Sequence, residues 1–180
     1  MRKATAIFVT LLLLLMLCAC TGKENQMFTK KFGKDQEYAN EQLNLLLDAI
    51  ENEDKESVKS LFSKNTISNI QNFEASIDCL FEYFKGTAPA WNDQCPQVVD
   101  GENEEGNKKI IVTSSYDIKT SEDSYRISFK ACRMDTANPN DVGIWSLYII
   151  SLKDDINSQH TYWGDGMNTP GINIGIKNTE

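Results

Sequence analysis

The spacing of apolar residues changes once along this chain of 180 residues, and the change limits the folds that the chain can adopt. Over residues 35–84 apolar residues recur every three or four positions, which is the period of amphipathic helices. Over residues 109–152 they alternate with polar residues or occupy both faces, which is the pattern of strands. Helices followed by strands predict an α+β domain in which the helices pack on a curved antiparallel sheet.

We expect three helices in the first part. The first spans about residues 35–52, and Asp54 is suited to cap the amino end of a short second helix that carries Val58, Leu61 and Phe62. The third spans about residues 67–84 and ends where Gly86 follows the last apolar residue. These helices share an amphipathic pattern, so each has an apolar face to bury.

The second part predicts four to five strands. Apolar and polar side chains alternate within residues 109–120 and again within residues 125–133. A polar turn separates the two segments, which indicates a hairpin. Residues 142–152 are apolar on both faces, which is typical of a strand that is covered on both sides. Shorter strands at residues 97–99 and 172–176 complete the expected sheet.

Residues 1–19 have a different character from the rest of the chain. Arg2 and Lys3 precede an apolar stretch at residues 6–17, and polar residues follow soon after it. A helix that spans a membrane needs about 20 apolar residues, whereas the apolar region of a signal peptide needs about 7 to 15 and ends at small residues. We therefore predict that residues 1–19 are a signal peptide that is removed.

The run Leu17-Cys18-Ala19-Cys20 resembles the bacterial lipobox, in which a small residue precedes a cysteine that becomes lipidated. The resemblance implies cleavage before Cys20, acyl chains on Cys20 and a lipid-anchored protein at the outer surface of the bacterial cytoplasmic membrane. Plain secretion and retention of an uncleaved anchor are the alternatives. Residues 20–34 are polar and predict a flexible tether, followed by a single domain at residues 35–180.

The charge balance limits the partners of the mature chain. Removal of Arg2 and Lys3 leaves 16 basic against 26 acidic residues, a net charge of −10. Nucleic acids and anionic lipid surfaces bind to basic surfaces. We therefore expect no nucleic acid partner, and we expect the membrane to be reached through the lipid at Cys20.

The mature chain carries few motifs of catalytic or metal chemistry. Its one histidine, His160, lies in a polar segment where a solvated histidine is the commoner case. Cys79, Cys95 and Cys132 have neither CxxC spacing nor a neighbouring histidine, which argues against a zinc site. We predict no catalytic residue, no metal and no cofactor.

The cysteines also allow a structural interpretation, because an exported chain can keep disulfides. A bridge between Cys79 and Cys95 would close a loop of 15 intervening residues and contribute about 3 kcal/mol in the chain-entropy model. Free thiols are the alternative, and Cys132 competes for Cys95.

Aromatic residues lie among Gly, Pro and Asn in two segments that we expect to be loops. They are Trp91 in residues 88–96, and Tyr162 and Trp163 in residues 162–167. Such side chains offer a large contact area with a polar edge, so they can line a groove for a ligand or a partner. They can also plug the open end of the fold, which is the interpretation that we favour. We treat these three residues as candidate binding residues.

The order of the elements resembles the cystatin-like cone fold of the nuclear transport factor two superfamily. The segments at residues 48–56, 116–120, 125–129 and 142–150 are more narrowly similar to an uncharacterised domain in surface lipoproteins of clostridia and their relatives. The superfamily resemblance implies a pocket that hosts isomerases, dehydratases and polyketide cyclases. The narrower resemblance implies no activity.

We therefore expect a lipid-anchored extracytoplasmic module that binds a small molecule, a glycan or an envelope protein. A small-pocket enzyme of the isomerase or hydratase type on the same fold is one alternative, and a purely structural envelope component is another. An inward carboxyl group with a raised pKa would favour the enzyme. A broad apolar patch on the sheet would favour a protein partner.

Overall fold

The computed structural model describes residues 21–87, 90–102, 105–153 and 169–175, and it is an α+β fold with helices first and strands second. The described residues form four α-helices: α1 (Thr21–Glu51), α2 (Lys55–Ser60), α3 (Lys64–Asn69) and α4 (Phe73–Tyr83). They also form five strands: β1 (Ala90–Glu102), β2 (Lys108–Lys119), β3 (Ser124–Asp135), β4 (Gly143–Ser151) and β5 (Gly171–Ile174). The change in apolar spacing therefore predicts the fold class correctly.

The chain divides into two compact units after Glu37. The amino-terminal part of α1 belongs to the first unit. The second unit begins at Tyr38 and holds the rest of α1, the other helices and the whole sheet.

The five strands lie side by side in chain order in one open sheet. The pairs from β1 to β4 are antiparallel, with Tyr116 opposite Ile127 and Phe129 opposite Leu147. β5 pairs with β4 in parallel, with Ile172 opposite Leu147. The sheet is therefore mixed, and the expectation of an antiparallel sheet was wrong for its last strand. Period-two spacing shows which residues share a face but not the direction of the strand.

One face of the sheet and the apolar sides of α1 and α4 form the core. The largest fully buried side chains include Leu43, Leu46, Ile77, Leu80, Tyr116, Phe129 and Leu147. Burial of one large apolar side chain contributes about 1.5 to 3 kcal/mol. The apolar side chains of the helices and those of the sheet therefore pack in one buried layer, which holds the helices on the sheet.

The opposite face of the sheet carries a row of polar side chains across four strands. Ser115 lies opposite Ser128, Ser128 opposite Tyr148, and Tyr148 opposite Asn173. Each of these residues is at most 5% exposed, and the hydroxyl oxygens of Ser115 and Ser128 are 2.9 Å apart. Residues 146–151 of β4 are all buried, which agrees with the expectation of a strand covered on both sides.

The expected third helix is two helices, so the described residues hold four helices where the sequence predicts three. Ile70 has extended backbone after α3, and Asn72 has a φ of 60° before α4. A Cβ placed on Gly171 would lie 2.5 Å from Cδ1 of Ile70, so the extended segment sets Ile70 against β5. Ile70 and Phe73 keep helical spacing across the break, and no glycine or proline marks it.

The amino-terminal end of α1 covers the segment for which the sequence predicts a flexible tether. The structure gives residues 21–34 helical backbone. Gly22 and Gly33 each weaken a helix by about 1 kcal/mol relative to alanine, but they do not end it as proline would. The role of this segment as a tether stays a prediction.

β1 begins at Ala90, although the sequence predicts a loop at residues 88–96. Its pairing with β2 shifts register between Gln94 and Gln97, where Pro96 lies. Proline is tolerated on edge strands and at bulges because no ladder hydrogen bond is lost there. The short strand expected at residues 97–99 is therefore the second half of a longer one.

Candidate functional site

Trp91, one of the candidate binding residues, lies on β1 and is half-buried. Its indole Nε1 donates a hydrogen bond to Oδ1 of Asn44 at 3.3 Å. Its ring meets the ring of Tyr116 edge-on, with 5.4 Å between the centroids, and the hydroxyl of Tyr116 donates to Oδ1 of Asn40 at 3.0 Å. These contacts join β1 to α1 at the edge of the core.

Several of the residues that the sequence singles out lie outside the described residues. They are Cys20, His160, Tyr162 and Trp163. The lipid anchor and the second aromatic segment therefore remain predictions. In the part of the chain that the structure describes, no helix is both long enough and apolar enough to cross a membrane.

The two described cysteine side chains, Cys79 and Cys132, are free thiols. Cys79 is exposed on α4, and the side chain of Cys95 lies outside those that the structure describes. The Cys79–Cys95 bridge therefore stays a prediction. Cys132 is buried, its thiol donates to the carbonyl of Met134 at 3.2 Å, and burial raises its pKa.

An open groove lies between the carboxyl-terminal half of α1 and α2. Its volume is about 250 Å³. The residues that line it are Leu45, Asp48, Ala49, Asn52, Asp54, Ser57, Ser60 and Leu61. Pockets for small molecules usually hold about 300 to 1,000 Å³ and enclose most of the ligand. This groove is smaller and open, which suits part of a larger partner.

The turn between α1 and α2 shapes the groove. The backbone N–H of Asp54 donates to the carbonyl of Ala49 at 2.9 Å, so the chain folds back at the end of α1. The carboxylate of Asp54 then accepts from the backbone nitrogen of Ser57 at 3.1 Å and from its hydroxyl at 2.7 Å. Asp54 is thus the N-cap of α2, as the sequence predicts. The cap fixes the start of α2 beside α1.

The floor of the groove is apolar. Ala49 and Leu61 are buried, while Leu45 lines the same groove with 45% of its surface exposed. A single exposed leucine is common on soluble proteins. Here it adjoins a concave apolar floor, so the exposed leucine and the floor form one surface that a partner side chain can cover.

The rim of the groove is acidic. Asp48 lies on the side of α1, and Asp54 lies at the start of α2. Hydrogen bonds from the side chain and backbone of Ser57 lower the pKa of Asp54, so its carboxylate stays ionised at neutral pH. Among the described residues that line the groove, none is basic.

The lysines of α2 are engaged away from the groove. Lys55 pairs with Asp78, and Lys59 pairs with Glu74, both on α4. Asp78 and Glu74 raise the pKa of their respective lysines through hydrogen bonds. The positive charges nearest in sequence to Asp54 therefore face α4 and leave the acidic rim without a neutralising partner on α2.

The inner face of the sheet is filled by side chains, and it is the place where an enzyme on the cone fold would hold its base. Tyr116, Phe129 and Leu147 have no exposed surface there. A general acid or base needs a pKa near the working pH. In the described residues, hydrogen bonds instead lower the pKa of three carboxyl groups, those of Asp54, Asp123 and Asp135. Nor do the described residues place three or more metal-ligating side chains together.

Residues 45–153 match the family model of a domain of unknown function, DUF5104. The chain belongs to this family. The matched region begins at Leu45 and includes the carboxyl-terminal end of α1, the whole of α2 and four strands of the sheet. No curated protein matches the chain. Membership in the DUF5104 family therefore assigns a domain without an activity.

Sequence reasoning missed the groove of this DUF5104 domain, although one signal was present. The buried side of α1 is accounted for by Leu43, Leu46, Leu47 and Ile50. Leu45 does not belong to this buried stripe. Asp48 follows it three positions later on the same side of the helix. An apolar residue outside the buried stripe, next to acidic residues, is the sequence pattern that indicates this surface.

Proposed function

We propose that this DUF5104 protein is a lipid-anchored extracytoplasmic module that binds another protein. The leader and the run that ends at Cys20 support the location. The proposal includes the similarity to clostridial surface lipoproteins and to the cone fold of the nuclear transport factor two superfamily. The order of helices and strands supports that fold. The parallel pairing of β5 departs from it, and we interpret β5 as an added strand at the edge of the sheet.

The groove between α1 and α2 is the observation that favours a protein partner over a small molecule. It is open, and its lining includes the exposed side chain of Leu45. An enclosed apolar cavity with a few polar groups would favour a metabolite, and the inner face of the sheet is filled by side chains such as Phe129. A surface groove that takes a few side chains of a larger molecule fits protein recognition better.

Location and anchoring are tested by metabolic labelling with a fatty acid that carries an alkyne. We expect the wild-type chain to take up the label and to fractionate with membranes. The Cys20→Ala variant should lose the label, while the matched Cys18→Ala variant should keep it. Label on the Cys20→Ala variant, or its loss from the Cys18→Ala variant, would contradict the assignment of Cys20.

Protein binding is tested by photo-crosslinking in the producing cell. A benzophenone amino acid is placed at Leu45, and the control is the same group at Val142, which is 41% exposed against 45% for Leu45. We expect a discrete adduct of higher mass from position 45 and none of that mass from position 142. The same adducts from both positions, or none from either, would overturn the proposal of a binding surface at the groove.

A further inference from the structure

The carboxyl-terminal end of α1 adds negative charge to the acidic groove. The last turn of α1 holds no basic residue, although cations are favoured there because helix carbonyl groups leave a partial negative charge at that end. Instead Asp48 lies in this turn and lines the groove. The carboxylate of Asp48 and the partial negative charge at the end of α1 therefore add up at the groove rather than cancel.

This surface combines two properties that select a partner. The floor of Ala49 and Leu61 and the exposed side chain of Leu45 favour an apolar side chain. The rim of Asp48 and Asp54 favours positive charge on both sides of that side chain. A neutral apolar partner would leave the carboxylates without counter-charges, and an acidic partner would be repelled.

We propose that the groove between α1 and α2 binds a lysine- or arginine-rich segment of another protein through an apolar side chain flanked by basic ones. This inference rests on the proposed function and names the chemistry of the partner. The apolar side chain covers Leu45 and contacts the floor. The basic side chains lie against Asp48 and Asp54, which places one ion pair on each bank of the groove.

The test uses the full chain, purified with its lipid in micelles of an uncharged detergent. The first probe is a short fluorescent peptide in which lysines flank a pair of leucines. Two matched peptides carry glutamates in place of the lysines or serines in place of the leucines. We expect binding, measured by fluorescence anisotropy, only with the first peptide, and weaker binding as salt screens the charges.

The variants distinguish binding at the groove from attraction to the overall negative charge of the protein. The Asp48→Asn, Asp54→Asn double variant removes both rim charges, and asparagine caps a helix about as well as aspartate. A control double variant, Glu82→Gln and Glu122→Gln, removes the same charge at exposed positions outside the groove. Leu45→Gln removes the exposed apolar side chain, and all variants are compared by circular dichroism before binding is measured.

We expect the rim variant to weaken binding about fivefold, because it removes both carboxylates that pair with the basic side chains of the peptide and exposed ion pairs are individually weak. The control variant should bind like the wild type, and Leu45→Gln should bind more weakly than either. Equal binding by the rim and control variants, binding of the glutamate peptide, or no binding of the lysine peptide would overturn the inference. If one of these results is found while a partner still crosslinks at position 45, protein binding is supported and only the basic character of the partner is rejected.

Discussion

The backbone of Gly143 lies directly against the backbone of Ser63. A Cβ placed on Gly143 would be 2.6 Å from the nitrogen of Ser63, and the φ of Gly143 is 122°. Next to this contact, Ile144 donates to the carbonyl of Leu61 at 2.8 Å and accepts from the N–H of Ser63 at 3.1 Å. β4 is thereby joined to the segment between α2 and α3, which holds the end of α2 at the groove.

Gly143→Ala should therefore destabilise the protein strongly. The alanine methyl group would meet backbone atoms that cannot rotate away, in a conformation that side chains rarely adopt. We expect a loss of about 3 kcal/mol in the free energy of unfolding, which corresponds to a drop of roughly 10 °C in Tm for a chain of this size. Thermal unfolding of the full chain measures it.

Gly101→Ala is the matched control for that change, since a Cβ at Gly101 meets no atom within 4 Å. We expect its Tm to stay within about 2 °C of the wild type, as for most surface substitutions. Equal Tm values for the two variants would show that the contact between Gly143 and Ser63 does not restrain the fold.

The helical side of the fold could be predicted in outline because burial imposes a period on the sequence. Asp54 was identified as the cap of α2 from its residue type and its place before an apolar stripe, and it makes the hydrogen bonds that such a cap requires. The break before α4 could not be predicted, because Ile70 leaves the helix to pack against β5. That contact joins residues about a hundred positions apart and leaves no local mark.

The candidate site was less accessible to prediction than the fold. Trp91 was noticed as an aromatic residue in an expected loop, but its contact with Tyr116 depends on a strand that begins at Ala90, before the one that the sequence predicts. The groove depends on how α2 turns back on α1 and on where Lys55 finds its carboxylate partner. Neither the turn nor the pairing follows from the pattern of a single helix.

The hydroxyl of Tyr125 connects the sheet to the end of α4. It accepts from the backbone nitrogen of Lys85 at 2.8 Å and donates to the carbonyl of Tyr83 at 3.2 Å, while its ring stacks on Phe84 at 4.6 Å. Tyr125→Phe keeps the ring and removes only the hydroxyl. We expect a loss of about 1 kcal/mol in the free energy of unfolding, measured with denaturant, because the part-buried backbone N–H of Lys85 loses its partner. An unchanged midpoint would show that water replaces the hydroxyl at no cost.

Stability should fall in acid partly through Asp135. Its carboxylate accepts from Nζ of Lys109 at 2.8 Å and from the backbone nitrogen of Asn138 at 2.8 Å, and these hydrogen bonds lower its pKa, that from Lys109 most. Because the folded pKa lies below the unfolded value of about 3.9, the stabilisation is complete above that pH and is lost as the pH falls through the folded pKa.

Asp135→Asn should therefore flatten the decline of unfolding free energy between about pH 5 and pH 2. Its stability should also be lower than that of the wild type at neutral pH, where the ionised carboxylate contributes. Glu82→Gln removes one exposed charge from α4 and should keep the wild-type pH profile. Denaturant unfolding at a series of pH values compares the three chains, and parallel profiles for Asp135→Asn and the wild type would contradict the linkage.

The two described thiols should differ greatly in reactivity. Cys79 is exposed, while Cys132 is buried with a raised pKa, and only an accessible thiolate reacts with iodoacetamide. We expect the native chain, without reductant, to be alkylated at Cys79 faster than at Cys132 by on the order of a hundredfold, since Cys132 reacts only after local opening. Peptide mass spectrometry measures both sites, with the unfolded chain as the reference in which both react. Modification of Cys79 only after reduction would show that it is held in a disulfide, and equal native rates would place Cys132 at the surface.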